Sequence, residues 1–297
     1  MALLLECSVD KPGNVGPDQK HRDTDYQDYL LSSLLLGRLG EQVASGEISP
    51  GTGVLRYVRE IKHWTVGNPH LGASILLMPL ARAVSHMGNG AEMDDADIPV
   101  CMERLHGSLM AVLEDMDSGE AERFCRAIKE MNPGGLRDPY FASASVEKLV
   151  AEIREGDMSY LEWMKRGAEL DLLAREVVSG YRVSFDGAKW LVRWNRAGMR
   201  LRDLVFPLYV RLLSLNVDTF VAGKSGVENA RALHEKARRI WETWYREDME
   251  MDTRRLDTLR DHSRELWFFC AERDLNPGTT SDLVASSLFI AVVCGAW

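Results

Sequence analysis

Residues 68–86 read NPHLGASILLMPLARAVSH, an Asn-Pro-His opening followed by an apolar run in which Pro79 separates Ile75, Leu76, Leu77 and Met78 from Leu80. The apolar part falls short of a membrane span, and its periodicity predicts a buried helix over Leu71–His86, bent where Pro79 removes a backbone donor. The same helical spacing recurs over Tyr26–Leu39, Gly53–Trp64, Val100–Met116, Ala121–Met131, Leu161–Val178, Leu201–Leu215, Val227–Glu247, Thr253–Glu272 and Ser281–Cys294. Only Tyr181–Phe185 reads as a short strand, and one such segment cannot build a sheet. The chain is therefore expected to be all-α, a single compact multi-helix domain over residues 1–297, with two tightly packed helical lobes as the alternative.

Composition narrows the function classes. With 45% hydrophobic and 27% charged residues, the 297-residue chain is ordinarily globular. A formal charge of −9 argues against a broad nucleic-acid surface but leaves room for a local basic pocket built from Lys11, Lys20, Arg22, Lys224 and Arg273. The five cysteines, Cys7, Cys101, Cys125, Cys270 and Cys294, are odd in number and widely spaced, which speaks against a disulfide scaffold or a structural zinc cluster. Met1–Leu5 lacks the basic start of a signal peptide and Leu283–Cys294 is too short to span a bilayer, so a cytoplasmic protein without a membrane partner is expected.

The helix breaks differ in chemistry. Gly40 to Gly51, Gly88-Asn89-Gly90 with Glu92 to Asp97, Gly156-Asp157 and Glu247 to Asp252 are plain solvated connectors. Four others pair tight-turn residues with side-chain ligands: Lys11 to Pro17, Asn68 to Gly72, Asn132 to Gly135 and Asn276 to Thr280. A helix starting after Asn68-Pro69-His70 would expose free N–H groups beside an amide and an imidazole, where an anion could dock; a capped turn with His70 satisfied locally is the alternative. At Pro277-Gly278-Thr279-Thr280, Thr279 or Thr280 is expected to cap the next helix and Asp282 to stand in its first turn, as a metal-facing carboxylate or as a simple partner for the helix dipole.

Near the start, Asp23-Thr24 is expected to cap the helix at Tyr26, and Asp25 and Asp28 share a face suited to Mg²⁺ or to an ordinary acidic helix start. Lys11 offers a point charge for phosphate. Asp171 and Arg175 are spaced for an i,i+4 pair. Asp218-Thr219 and Gly223-Lys224-Ser225-Gly226 form another loop entering a helix; without a preceding strand and full glycine spacing it is no P-loop, so Lys224 is a candidate phosphate contact only.

Taken together, Lys11-Pro12-Gly13-Asn14-Val15, Asp23-Thr24, Asn68 to Gly72, Asn132 to Leu136, Ala174-Arg175-Glu176, Asp218-Thr219, Gly223 to Gly226 and Asn276 to Leu283 resemble, in order and over nearly the whole chain, the triphosphoribosyl-dephospho-coenzyme-A synthase family. Pro69 replaces the threonine of the family's Asn-Thr-His-Leu-Gly block and Gly223 an arginine, and the form is most similar to the archaeal and one-carbon-metabolism branch. The resemblance implies an all-helical, ATP-dependent transferase that moves the 5-triphosphoribosyl group of ATP to a hydroxyl of dephospho-coenzyme A or a related phosphorylated coenzyme precursor, releasing adenine. It implies Mg²⁺ on the triphosphate, with Asp23, Asp28, Asp218 and Asp282 as metal-facing carboxylates and Asp23, Asp28, Asp218 and His70 as candidate catalytic groups. Lys11, Asn14, Asn68, Lys224, Gly278, Thr279 and Thr280 are the candidate ATP contacts. ATP-dependent phosphoryl transfer in pterin-like coenzyme biosynthesis and non-catalytic nucleotide binding stand as alternatives, and a homodimer is left open.

Overall fold

The computed structural model describes residues 1–21, 23–87, 98–246 and 249–295. Arg22, the Gly88 to Asp97 connector and Glu247 of the sequence reading lie outside them. The described residues form helices α1 (Ala2–Cys7), α2 (Tyr26–Ala44), α3 (Pro50–Ile61), α4 (Leu71–His86), α5 (Ile98–Asp115) and α6 (Ser118–Met131). A run of short helices follows: α7 (Pro139–Ser143), α8 (Val146–Glu155), α9 (Tyr160–Gly167) and α10 (Leu172–Val178). The rest is α11 (Arg182–Arg196), α12 (Leu201–Leu215), α13 (Thr219–Ser225), α14 (Val227–Trp244), α15 (Thr253–His262), α16 (Arg264–Arg273) and α17 (Gly278–Val293). There is no strand among the described residues, only an isolated bridge between Gly16 and Gln19.

Side-chain caps set many of these boundaries. Asp25, not Asp23 or Thr24, caps α2, and Asp28 closes the capping box by accepting from the Asp25 N–H at 2.9 Å. The expected Leu161–Val178 helix is two, because Asp171 accepts from the Ala174 N–H at 2.9 Å and starts α10 afresh. That role replaces the expected i,i+4 pair: Arg175 donates instead to the carbonyls of Ala168 and Glu169. Tyr181–Phe185 is no strand but the opening of α11, fixed by the buried Glu176 carboxylate, which accepts from the N–H groups of Val183 and Ser184.

At the centre lies α17, apolar on every side, as a helix surrounded by others must be. It packs against α1, α4, α11 and α12. Small residues permit the close approach to α11: a Cβ on Gly187 would meet Ser287 Oγ at 2.3 Å. The main core runs from Ala2 to Cys294, while Ala121, Cys125, Leu149, Val150, Ile153 and Met158 form a second, smaller cluster around α6 and α8. No single helix among the described residues is long and apolar enough to cross a membrane; only the sharply bent pair α12 and α13 has the composition, and α12 is packed into the core.

Candidate functional site

The satellite cluster and the main core leave a cleft between them with an empty volume of about 1680 Å³, counting space open to solvent. All four Asn-, Pro- and Gly-containing junctions reach it, through Asn14, through Asn68 and His70, through Pro133 and Gly135, and through Asn276 to Asp282. Hydrogen bonds stitch the first junction to the last. Asn14 Nδ2 donates to Asn276 Oδ1 at 2.8 Å, and Asn14 Oδ1 accepts from Ser281 Oγ at 2.6 Å, across more than 260 positions of chain.

His70 enters α4 with left-handed backbone, φ 59°, a conformation that aims its buried ring into the cleft and is uncommon for a residue other than glycine. Its tautomer follows from a chain of hydroxyl groups. Tyr57 donates its single O–H to the carbonyl of Pro69, so the Tyr57 oxygen accepts from Ser32 Oγ at 2.8 Å. Ser32, its proton thus committed, accepts from His70 Nδ1 at 2.9 Å. The proton of neutral His70 therefore lies on Nδ1, and Nε2 presents a lone pair. Nε2 is buried without a hydrogen-bond partner, 3.7 Å from Glu6 Oε2, and Asn68 Oδ1 on the same junction is likewise buried and unpartnered.

Two carboxylates at this end of the cleft are driven in opposite directions. Burial acts to raise the pKa of Glu6, but the charge of the Lys11 ammonium leads the effects that outweigh it and hold the group down to about 2. Asp282 is pushed well above the ordinary aspartate value, first by burial and then by the charges of Glu6 and Asp218, against one hydrogen bond from the Ala73 N–H. Opposite perturbation of neighbouring carboxyl groups separates an ionised base or stabiliser from a proton donor. Gly72 makes the approach of Asp282 possible, since a Cβ there would lie 1.9 Å from Oδ2.

The other expected residues are placed differently. Lys11 is fully buried behind the cleft wall, and its ammonium donates to the carbonyls of Glu6 (2.7 Å) and Val9 (2.9 Å) and meets Glu6 Oε1 at 3.0 Å, so its three protons are already engaged. Asp218 caps α13 and ties it to α17: Oδ1 accepts from Val221 N–H at 2.9 Å, and Oδ2 from both the N–H and hydroxyl of Thr280 at 2.8 Å. Burial pushes Asp218 up to about 6 despite these bonds. Thr280 is thereby turned away from the cleft, whereas Gly278 and Thr279 line it, with Thr279 Oγ1 accepting from Phe220 N–H at 3.3 Å. Neither threonine caps α17, which begins at Gly278 and puts Asp282 in the second turn. Asp23 is exposed, Asp28 belongs to the α2 cap, and Lys224 is an exposed group 5.9 Å from the Phe220 ring centre.

Two cationic residues without a distinctive local sequence pattern, Arg137 and Arg166, line the cleft instead. For Mg²⁺ the carboxylates do not converge: of Asp23, Asp28, Asp218 and Asp282 only Asp282 lines the cleft, and no group of three His, Cys, Asp or Glu among the described residues is arranged to hold a metal. A protein-built metal cage does not fit these positions.

A sequence profile of CitG, the ATP:dephospho-CoA triphosphoribosyl transferases, matches residues 1–297. A comparison with curated proteins finds no match. Among solved structures, a protein from Archaeoglobus fulgidus, described provisionally as a triphosphoribosyl-dephospho-coA synthase, is similar at 28% identity and a TM-score of 0.66, over 90% of this chain and 100% of its own. With the profile spanning every residue and the four junctions gathered on one cleft, the chain belongs to the ATP:dephospho-CoA triphosphoribosyl transferase family.

Proposed function

We propose that the protein transfers the 5-triphosphoribosyl group of ATP to a hydroxyl of dephospho-CoA and releases adenine, with His70 as the base and Asp282 as the acid. The observation that carries this reading is the bare Nε2 of His70, buried, facing the cleft and fixed as an acceptor by the Ser32 and Tyr57 hydroxyls. In the step, the acceptor oxygen forms a bond to C1′ of the ATP ribose while the C1′–N bond to adenine breaks. The acceptor's hydroxyl proton passes to His70 Nε2, and the neighbouring Glu6 carboxylate stabilises the imidazolium that results. Positive charge developing on the ribose, as in glycoside chemistry, is favoured by the same carboxylate. Adenine leaves as a neutral base by taking the proton that its raised pKa keeps on Asp282. The resulting carboxylate and imidazolium return to their starting states by exchange with solvent.

ATP enters as its Mg²⁺ complex, the ion being the triphosphate's counter-charge and no step here depending on a protein cage for it. Incubation with ATP, Mg²⁺ and dephospho-CoA, followed by mass-resolved chromatography, should give adenine and an acceptor enlarged by a triphosphoribosyl group. Formation of ADP or pyrophosphate without adenine would select phosphoryl transfer instead, and binding of ATP without any turnover would select a nucleotide-binding role.

A further inference from the structure

The satellite lobe gives the cleft an apolar wall for which adenine release has no use. Phe141, Leu149, Ile153, Met158, Trp163 and Met164 line it, and several of these also belong to the small second core, so the wall is held by its own packing. Arg137 and Arg166 stand on the same lobe. Arg166 follows Trp163 by three positions on α9 and therefore shares its face. It has no hydrogen-bond or ion-pair partner among the described residues, and Arg137 donates only to the Leu170 carbonyl, at 3.3 Å. The opposite wall carries the polar groups of Asn14, Asn68, His70, Asn276 and Asp282 among apolar neighbours such as Leu71 and Ile75.

Resting on the transfer reading above, we propose that this wall seats the non-reacting arm of the acceptor, a chain of methylenes and amides, and that Arg137 and Arg166 pair with the diphosphate joining that arm to the reacting nucleoside. Of the two substrates only the acceptor has an arm of this kind. ATP ends in a triphosphate, which gains nothing from an apolar surface, and its adenine must leave beside Asp282 on the other wall. Planar guanidinium groups suit a diphosphate because each can donate two parallel hydrogen bonds. Pairing of the diphosphate with Arg137 and Arg166 fixes how deep the arm enters, and so which hydroxyl of the acceptor reaches His70. Acceptor identity is then read by the lobe, while the bond change is carried out by the helix junctions.

The test uses the full chain. Calorimetric titration with dephospho-CoA and with phosphopantetheine, the arm alone, measures the seat without turnover, and steady-state assays give KM for acceptor and ATP separately. Trp163→Ala is expected to weaken binding of both arm-bearing ligands by about 10-fold or more. Arg166→Gln, at an exposed position that does not threaten folding, is expected to raise the acceptor KM by about 10-fold while the ATP KM changes by less than about twofold. Unchanged arm binding in Trp163→Ala, or an Arg166→Gln defect confined to ATP, would overturn the assignment even if adenine is released normally. Arm binding that depends on Trp163 with no adenine release from any acceptor would instead sink the transfer reading and leave the seat standing.

Discussion

The ammonium of Lys11 lies 3.0 Å from Glu6 Oε1 with both side chains buried, and the other oxygen of Glu6 faces His70 at 3.7 Å. The pair thus joins the first loop to the His70 end of the cleft. Replacing Glu6 by Gln strands a buried ammonium and is expected to destabilise the protein by about 3–5 kcal/mol at neutral pH. The pH dependence has a definite sign. Glu6 has a folded pKa of about 2 against an ordinary 4.5, so its contribution is complete above about pH 4.5 and is lost as pH falls toward 2. Urea unfolding of both proteins between pH 7 and pH 2 should show the stability difference shrinking on the acid side; a difference that stays constant would contradict this account.

Gly72→Ala inserts a methyl group where Asp282 Oδ2 now lies. The carboxyl must swing away, and kcat is expected to fall by roughly 100-fold, the range for a displaced acid. The same Cβ would meet Leu173 Cδ1 at 2.8 Å, so overpacking of about 1–3 kcal/mol should lower the thermal midpoint as well, and kcat is to be compared where both proteins are folded. Equal kcat in the two proteins would remove Asp282 from the proton path.

Ser32→Ala breaks the hydroxyl chain that keeps the proton on Nδ1 of His70. Loss of the base itself in His70→Gln should cost about 100- to 10,000-fold in kcat, and loss of only its orientation distinctly less. The ATP KM should barely move in Ser32→Ala. Nitrogen-resolved NMR of labelled histidine checks the cause directly: wild type should show the Nδ1–H tautomer, and the variant a mixture.

Thr280→Val keeps the backbone donor to Asp218 but deletes the hydroxyl donor at 2.8 Å. A loss of about 1–3 kcal/mol in denaturant stability is expected, because the buried carboxylate loses one of its partners. Asp218 should also hold its proton to higher pH than the present value of about 6, which carboxyl-region NMR titration would reveal.

Helices with a clear apolar stripe were legible from sequence alone: α4 and α12 carry the bounds their spacing predicts, Leu71–His86 and Leu201–Leu215. Helix α11 was not, because the aromatic and β-branched residues of Tyr181–Phe185 read as strand while the signal that starts the helix, Glu176, comes from the preceding element. The grouping of Asn, Pro and Gly at four junctions pointed to the cleft, since such breaks place side chains at helix ends. Charge was misleading. Lys11 in a Pro-Gly turn has the look of a phosphate ligand, yet it answers the carboxylate of Glu6, five residues earlier at the end of α1. Arg137 and Arg166 carry no local pattern at all; only the folding of α9 and the residues before α7 against the main body brings them to the cleft. Gly223, read as the loss of a family arginine, has a spatial reason: a Cβ there would meet the carbonyl of Gly135 at 2.0 Å, so α13 can lie against the third junction only without a side chain.

The second hydrophobic cluster gives the protein a division of labour across generations as well as across space. Substitutions around α8 can reshape one bank of the cleft without touching α17, which is buried in the main core and carries Asp282. On the proposed seating of the acceptor arm, drift in a few lobe residues would exchange one coenzyme precursor for another while the groups on the opposite wall stay in place. For protein engineers the same partition separates a small bank open to variation from a buried core helix that packs against α1, α4, α11 and α12.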